Sequence, residues 1–191
     1  GIHKRSPSMT YDAALMLMCF DALGAPTHDT TRAAARSLDF LLRAQDDAGG
    51  WGYNPSQART YFDFSCTQFG LLGLHAAARL DLEVPARAFR RAATCLLDGQ
   101  EGSGPEVERI TERDGDFAGG TAHKDRARGW GYRGGGAYGS MTCAGVGSLV
   151  ICRDHLGRAD TALIHRIDLA IFDGLAARIG RSQRVCEEIH Q

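Results

Sequence analysis

Phe40-Leu41-Leu42-Arg43-Ala44-Gln45, followed by Asp46-Asp47-Ala48-Gly49 and then Gly50-Trp51-Gly52-Tyr53, is the stretch on which the reading of this chain turns. A second copy is split. Its front half is Arg91 to Gln100, and its back half, Gly129-Trp130-Gly131-Tyr132, follows a polar insertion. In each copy a helix-like run ends on a glutamine, and a glycine-rich turn then presents a tryptophan and a tyrosine.

Outward from these copies, apolar and two-faced runs alternate. Ala13 to Leu23 is apolar except for Asp21, which predicts a buried helix. Ser8 is placed to cap it, and Gly24 to end it. From Asp29 or Thr30 to Gln45, Arg32, Arg36, Asp39 and Arg43 share one face, opposite Ala34, Leu38, Leu41 and Leu42. That spacing predicts an amphipathic surface helix. Asp63 to Leu80 is again mostly apolar. A helix from Pro85 carries Arg87, Arg90, Arg91 and Asp98 among Ala88, Ala92, Cys95 and Leu96. Residues 101–138 form a long polar insertion, its Glu101 to Arg128 part rich in glycine and charge; it reads as a surface loop, with Glu106 to Arg113 a short strand or helical turn. A fifth helix runs from Ser140 to about His155. A sixth runs from Asp160 to Arg178, and Gly180 to Gln191 is a loop or a short terminal helix.

The apolar helices share an opening: Ser8-x-Thr10, Ser65-x-Thr67 and Ser140-x-Thr142. The last two extend the match through Gly70-Leu71-x-x-Leu74 and Gly145-Val146-x-x-Leu149. Self-similarity of this kind points to stacked helical hairpins, with apolar helices inside and amphipathic ones outside. Gly70, Gly73, Gly145 and Gly147 each cost a helix roughly 1 kcal/mol against alanine, and close approach of inner helices is the expected return.

Composition bounds the rest. The 191 residues suit one domain, 43% of them hydrophobic and 24% charged. A net charge of -1 argues against nucleic acid or an anionic membrane as main partner. No apolar run approaches the ~20 residues of a membrane span. The six cysteines form no CxxC and sit mostly in apolar runs. Free thiols, a soluble chain and a cytoplasmic setting are expected, or export if a signal segment was removed upstream.

The pattern resembles the QW repeat of squalene–hopene cyclases and related terpene cyclases, shared more loosely with protein prenyltransferase β-subunits. Arg36-Ser37, Phe40-Leu41, Gln45 and Gly49-Gly50-Trp51 match it. Arg91-Ala92, Leu96 and Gln100 match with Cys95 in the aromatic position, and Trp130 comes after a longer gap. Arg166 to Ala176 resembles the opening of a third copy. The resemblance implies an all-α fold, an α/α toroid with an apolar hollow, in which Gln45, Trp51, Gln100 and Trp130 tie outer helices together. About three hairpins are present where the family ring uses about six, so the toroid is incomplete. The chain is then part of a longer ring, pairs with a second copy, or stays open on its apolar concave face.

Catalytic signatures of that family are not complete here. There is no DxDD. Asp114-Gly115-Asp116 is a DxD in the insertion, and Asp46-Asp47 is ordinary turn sequence. Asp63, Cys66 and His75 offer the residue types of a prenyltransferase zinc site, yet His75 lies about 13 Å along one helix from Cys66. Cys152 and His155 share a helix face without a partner pair. Gly134-Gly135-Gly136 is followed by no Lys-Ser/Thr and is not a phosphate loop. Tyr61, Asp63 and Tyr138 precede inner helices and are the candidates for lining a ligand. No cofactor is expected, with zinc the sole candidate. The leading expectation is a non-catalytic module that binds an apolar, isoprenoid-like molecule or a partner through the concave face. The alternatives are an isoprenoid-processing enzyme with catalytic residues partly outside this chain, and a carbohydrate-active α/α barrel with paired carboxylates. These residues leave open whether the chain is an enzyme.

Overall fold

The computed structural model describes residues 6–24, 27–54, 61–113, 116–157 and 160–189, without side chains at 109–121 and from 178 onward. Helices α1 (Thr10–Leu23), α2 (His28–Ala44), α3 (Phe64–Arg79) and α4 (Ala86–Asp98) precede strands β1 (Glu106–Arg113) and β2 (Asp116–Arg126). Helices α5 (Gly139–Leu156) and α6 (Thr161–Ile189) follow. The chain is mostly helical.

α1, α3 and α5 lie side by side, and α2, α4 and α6 pack behind them. The layering follows from side-chain distribution. α2 and α4 bury one stripe, Ala33, Ala34, Leu38 and Leu41 in the first and Ala88, Phe89, Ala92 and Leu96 in the second. Their arginines stay at the surface. Thr27 closes a capping box at the start of α2 with Thr30.

Gln45, Trp51, Gln100 and Trp130 build the same joint twice. Gln45 Nε2 donates to Gly49 O and to Ala88 O of α4, both at 2.9 Å. Gln100 Nε2 donates to Arg128 O at 3.1 Å and to Ala170 O of α6 at 3.0 Å. Trp51 Nε1 donates to Leu41 O and Trp130 Nε1 to Leu96 O, each at 2.8 Å. Both indoles are fully buried. Their backbone N–H groups donate to Thr67 Oγ1 and Thr142 Oγ1 of the next inner helix.

Several expectations are corrected. The insertion is a two-stranded antiparallel ribbon rather than a loop, its first strand, Glu106 to Arg113, being one of the two readings of that segment, so the fold is not purely helical. Glu106 lies opposite Arg126 and Glu108 opposite Lys124, pairs of opposite charge that support a ladder. The segment after Gly180 continues α6 to Ile189. Ser8 does not cap α1: Met9 holds the N-cap position, and Ser8 Oγ donates to Asp12 instead. Thr10, Phe64 and Gly139 are the equivalent first residues of the inner helices, so Thr67 and Thr142 correspond to Ala13. Thr10 has a different task, donating its hydroxyl to Gly52 O at 2.6 Å. α1 and α5 are not buried all round, since Leu15, Leu23 and Val150 are exposed. Asp114 and Gly115 of the DxD lie outside the described residues.

The helical glycines have distinct reasons. A Cβ on Gly70 would stand 2.6 Å from the Trp51 ring, and one on Gly145 2.4 Å from Trp130. Only Gly73 serves an inner-helix contact, its Cβ position lying 2.9 Å from Ala14 Cα. Gly147 has open space around it. Gly145→Ala should therefore destabilise by about 1–3 kcal/mol through overpacking. Gly147→Ala should stabilise by roughly 0.5–1 kcal/mol. Urea denaturation of the two variants checks the opposite signs.

Candidate functional site

The turns carrying Tyr53 and Tyr132 meet the N-terminal ends of α1 and α3. Thr10 N donates to Tyr53 O and Phe64 N to Tyr132 O, both at 3.1 Å. This brings together side chains distant in sequence. The Tyr53 and Tyr132 hydroxyls lie 3.2 Å apart. Tyr11 OH and Ser65 Oγ share a hydrogen bond of 2.6 Å. The Tyr11 ring stands 4.5 Å from Phe69 and 5.4 Å from Tyr53. The result is an aromatic, hydroxyl-rich rim at one end of the inner layer.

Asp63 anchors the rim from beneath. It is fully buried and caps α3, its Oδ1 accepting from Cys66 N at 2.7 Å. Its Oδ2 is buried without a hydrogen-bond partner, the exceptional state for a buried polar atom. Burial and then the nearby Asp63 carboxylate push the Cys66 thiol up. Burial pushes Tyr11 up to about 12, against the lowering effect of its Ser65 hydrogen bond. Tyr132 is also pushed up, by burial, by the Tyr53 hydroxyl and by the charge of Asp63. These groups hold their protons at neutral pH, and the rim is a hydrogen-bonding surface rather than a set of nucleophiles.

The three sequence candidates occupy different settings. Asp63 is inaccessible behind the rim. Tyr61 is exposed beneath Arg133, whose guanidinium carbon lies 4.0 Å from the ring centroid, a cation–π distance. Tyr138 is exposed and precedes α5 as its N-cap without a side-chain cap bond. Sequence reasoning missed Tyr11, which sits in an apolar-looking run and joins the rim only through the packing of α1 on α3.

At the opposite end of α3 a second cluster spans two layers. His75 Nδ1 and His155 Nε2 are 3.0 Å apart. His155 stacks flat on Phe89 of α4 at 4.1 Å. Burial, and then His75, holds the His155 pKa below the ordinary imidazole range. His75 is thus engaged away from Asp63 and Cys66, and Cys152 is buried. Among the described residues no group of three His, Cys, Asp or Glu side chains could hold a metal ion. No described helix is long and apolar enough to cross a membrane. The five described cysteines are free thiols.

Tyr11 gives the rim a measurable signature. Its pKa in the folded chain lies above the unfolded value of about 10. The folded state therefore retains a proton that the unfolded state releases, so this contribution to stability is full below pH ~10 and lost as pH rises towards ~12. Tyr11→Phe should flatten the loss, as read by urea denaturation at pH 9 and 11, and should remove one late-ionising phenol from the tyrosinate absorbance titration. Comparison with models of protein families, with curated proteins and with solved structures gave no match.

Proposed function

We propose that this chain is a terpene cyclase/prenyltransferase-like repeat module, an incomplete α/α toroid that binds an apolar, isoprenoid-like ligand on the inner-helix face without catalysing its conversion. The observation that carries this reading is the character of that face. α3 has neighbours on both sides and behind, and the side chains it leaves half-buried are Ser65, Gln68, Phe69, Leu72, His75 and Ala78. Leu15 on α1 and Val150 on α5 extend an apolar surface on either side. The tyrosine rim supplies hydroxyl donors at one end, suited to a single polar head on an otherwise apolar molecule.

Chemistry is sparse along the same face. α1 carries Asp12 and Asp21, α3 carries no carboxylate and α5 carries Asp154. Asp21 is occupied by Arg79 at 2.9 Å. This distribution speaks against the carbohydrate-active alternative, which needs two facing carboxylates. The isoprenoid-enzyme alternative draws on one observation, the unpartnered Oδ2 of buried Asp63, with the remaining machinery outside this chain.

Binding is tested with farnesol and geranylgeraniol, read by competition with an environment-sensitive apolar dye. The wild type should bind both alcohols in the micromolar range, about -8 kcal/mol. Leu72→Glu should weaken binding at least about tenfold with the helical circular dichroism unchanged. Equal binding by the variant, or none by the wild type, refutes the reading. Conversion of the corresponding diphosphates that is lost in Asp63→Asn would instead select the enzyme alternative.

A further inference from the structure

Asp173, near the middle of α6, is fully buried. A carboxylate in that position needs partners for both oxygens. Arg128, on the chain returning from the ribbon, serves one of them. Its Nε and Nη2 both donate to Oδ2, at 2.8 and 2.6 Å, and its backbone N–H donates to Asp173 O at 3.2 Å. Oδ1 is buried with no hydrogen-bond partner.

The ribbon brings a second carboxylate to it. Val107 and Asp125 are cross-strand neighbours and both half-buried, whereas Glu106, Glu108, Lys124 and Arg126 on either side of them are exposed. Alternation along a strand therefore turns the Val107–Asp125 face towards the body, where β2 meets α6. There Asp125 lies within hydrogen-bonding reach of Asp173. Two carboxyl groups bond to each other only when one of them carries a proton. His123, the next residue on that face of the ribbon, is exposed. The charged side chains with which α4 and α5 meet α6 are paired elsewhere along it: Arg90 with Asp160, Asp98 with Arg166 and Arg153 with Asp168. Among the described residues, one guanidinium thus serves two carboxyl groups.

We infer that Asp125 and Asp173 share a proton, and that this proton fastens the ribbon to α6, so that the ribbon is seated at mildly acid pH and loosened at neutral pH. With the proton in place, Oδ1 gains its partner and the trio of Asp125, Arg128 and Asp173 is neutral. Without it, two carboxylates face each other across one guanidinium. Like charge then pushes β2 off α6, while Arg128 keeps its hold on Oδ2. Burial pushes the Asp173 carboxyl up to about 6 against the lowering effect of Arg128, and Asp125 adds to the rise. The seated state therefore retains a proton that the loosened state releases. Its advantage is full below pH ~4, near the ordinary carboxylate value, and is lost as pH rises through about 6. The device is independent of what the inner face binds.

Hydrogen exchange of the β2 amides, read by mass spectrometry and corrected for the intrinsic effect of pH, tests the inference. Raising the pH from 5 to 7.5 should speed β2 exchange about tenfold, the factor set by a carboxyl at about 6 when seated and at its ordinary 3.8 when released. The amides of α1 to α4 should be unchanged. Asp125→Asn should leave β2 equally protected at both pH values, because its side-chain amide donates to Oδ1 without a proton being taken up. Asp173→Asn should do the same, keeping an oxygen for Arg128 and gaining a donor for Asp125. Carbon-13 spectra of the side-chain carboxyls should show this pair titrating near pH 6. Equal β2 exchange at both pH values in the wild type overturns the inference. So does an acceleration that persists in Asp125→Asn, a loosening spread over every helix, or a carboxyl pair that does not titrate between about pH 5 and 7.

Discussion

Backbone carbonyls at the end of one outer helix, in the turn beyond it and on the next outer helix are the acceptors whose bonding organises this molecule. One side-chain amide and one indole N–H do the work in each repeat. Gln45 takes a carbonyl from its own turn and one from the next outer helix, and Trp51 takes a carbonyl from the helix just ended. The acceptors are backbone atoms, so the joint depends little on which side chains surround it. Each fully buried indole adds on the order of 4–6 kcal/mol of gross apolar burial before entropy is counted. Direction comes from the hydrogen bonds and energy from the ring.

The inner helices answer the same ring with a gap. Gly70 and Gly145 sit where a Cβ would enter the indole, so their helical cost is set against tryptophan packing rather than against helix-to-helix approach. Gly73 alone has the second purpose. Cross-links between neighbouring inner helices then vary freely at equivalent positions: a salt bridge from Asp21 to Arg79, and an imidazole pair from His75 to His155. The backbone joint specifies the layer, and side chains at its margin are left open to other uses.

Helical layering was legible because it is a local signal. Alternation of apolar and two-faced runs and the Gln-to-Trp spacing identified all six helices and the four residues of the joint. The misreadings have physical causes. Ser-x-Thr before an apolar run is a general mark of helix starts, so it aligned Thr10 with Thr67 three positions out of register. The 106–126 ribbon is held by opposed charges such as Glu106 and Lys124, 3.0 Å apart, and lacks the apolar alternation by which strands are read. The rim was only half legible. Tyr61, Asp63 and Tyr138 are read from their place before inner helices and occupy other settings than the rim, whereas Tyr11 meets Ser65 only once α1 and α3 pack.

The second joint closes across an insertion that the first lacks. Its two ends are stitched together: Glu101 N donates to Gly129 O, Ala127 N to Pro105 O, and the Glu101 carboxylate accepts from Gly129 N and Ala137 N. Entropic cost of closing a loop grows only slowly with its length. Arg128 ties the returning chain to α6, its N–H donating to Asp173 O and its guanidinium to the buried Asp173 carboxylate, so what can change with little effect on the helices beneath is the part of the ribbon away from that anchor. That seam is a natural port, at which a foreign ribbon or a whole small domain could be grafted while the scaffold keeps its shape.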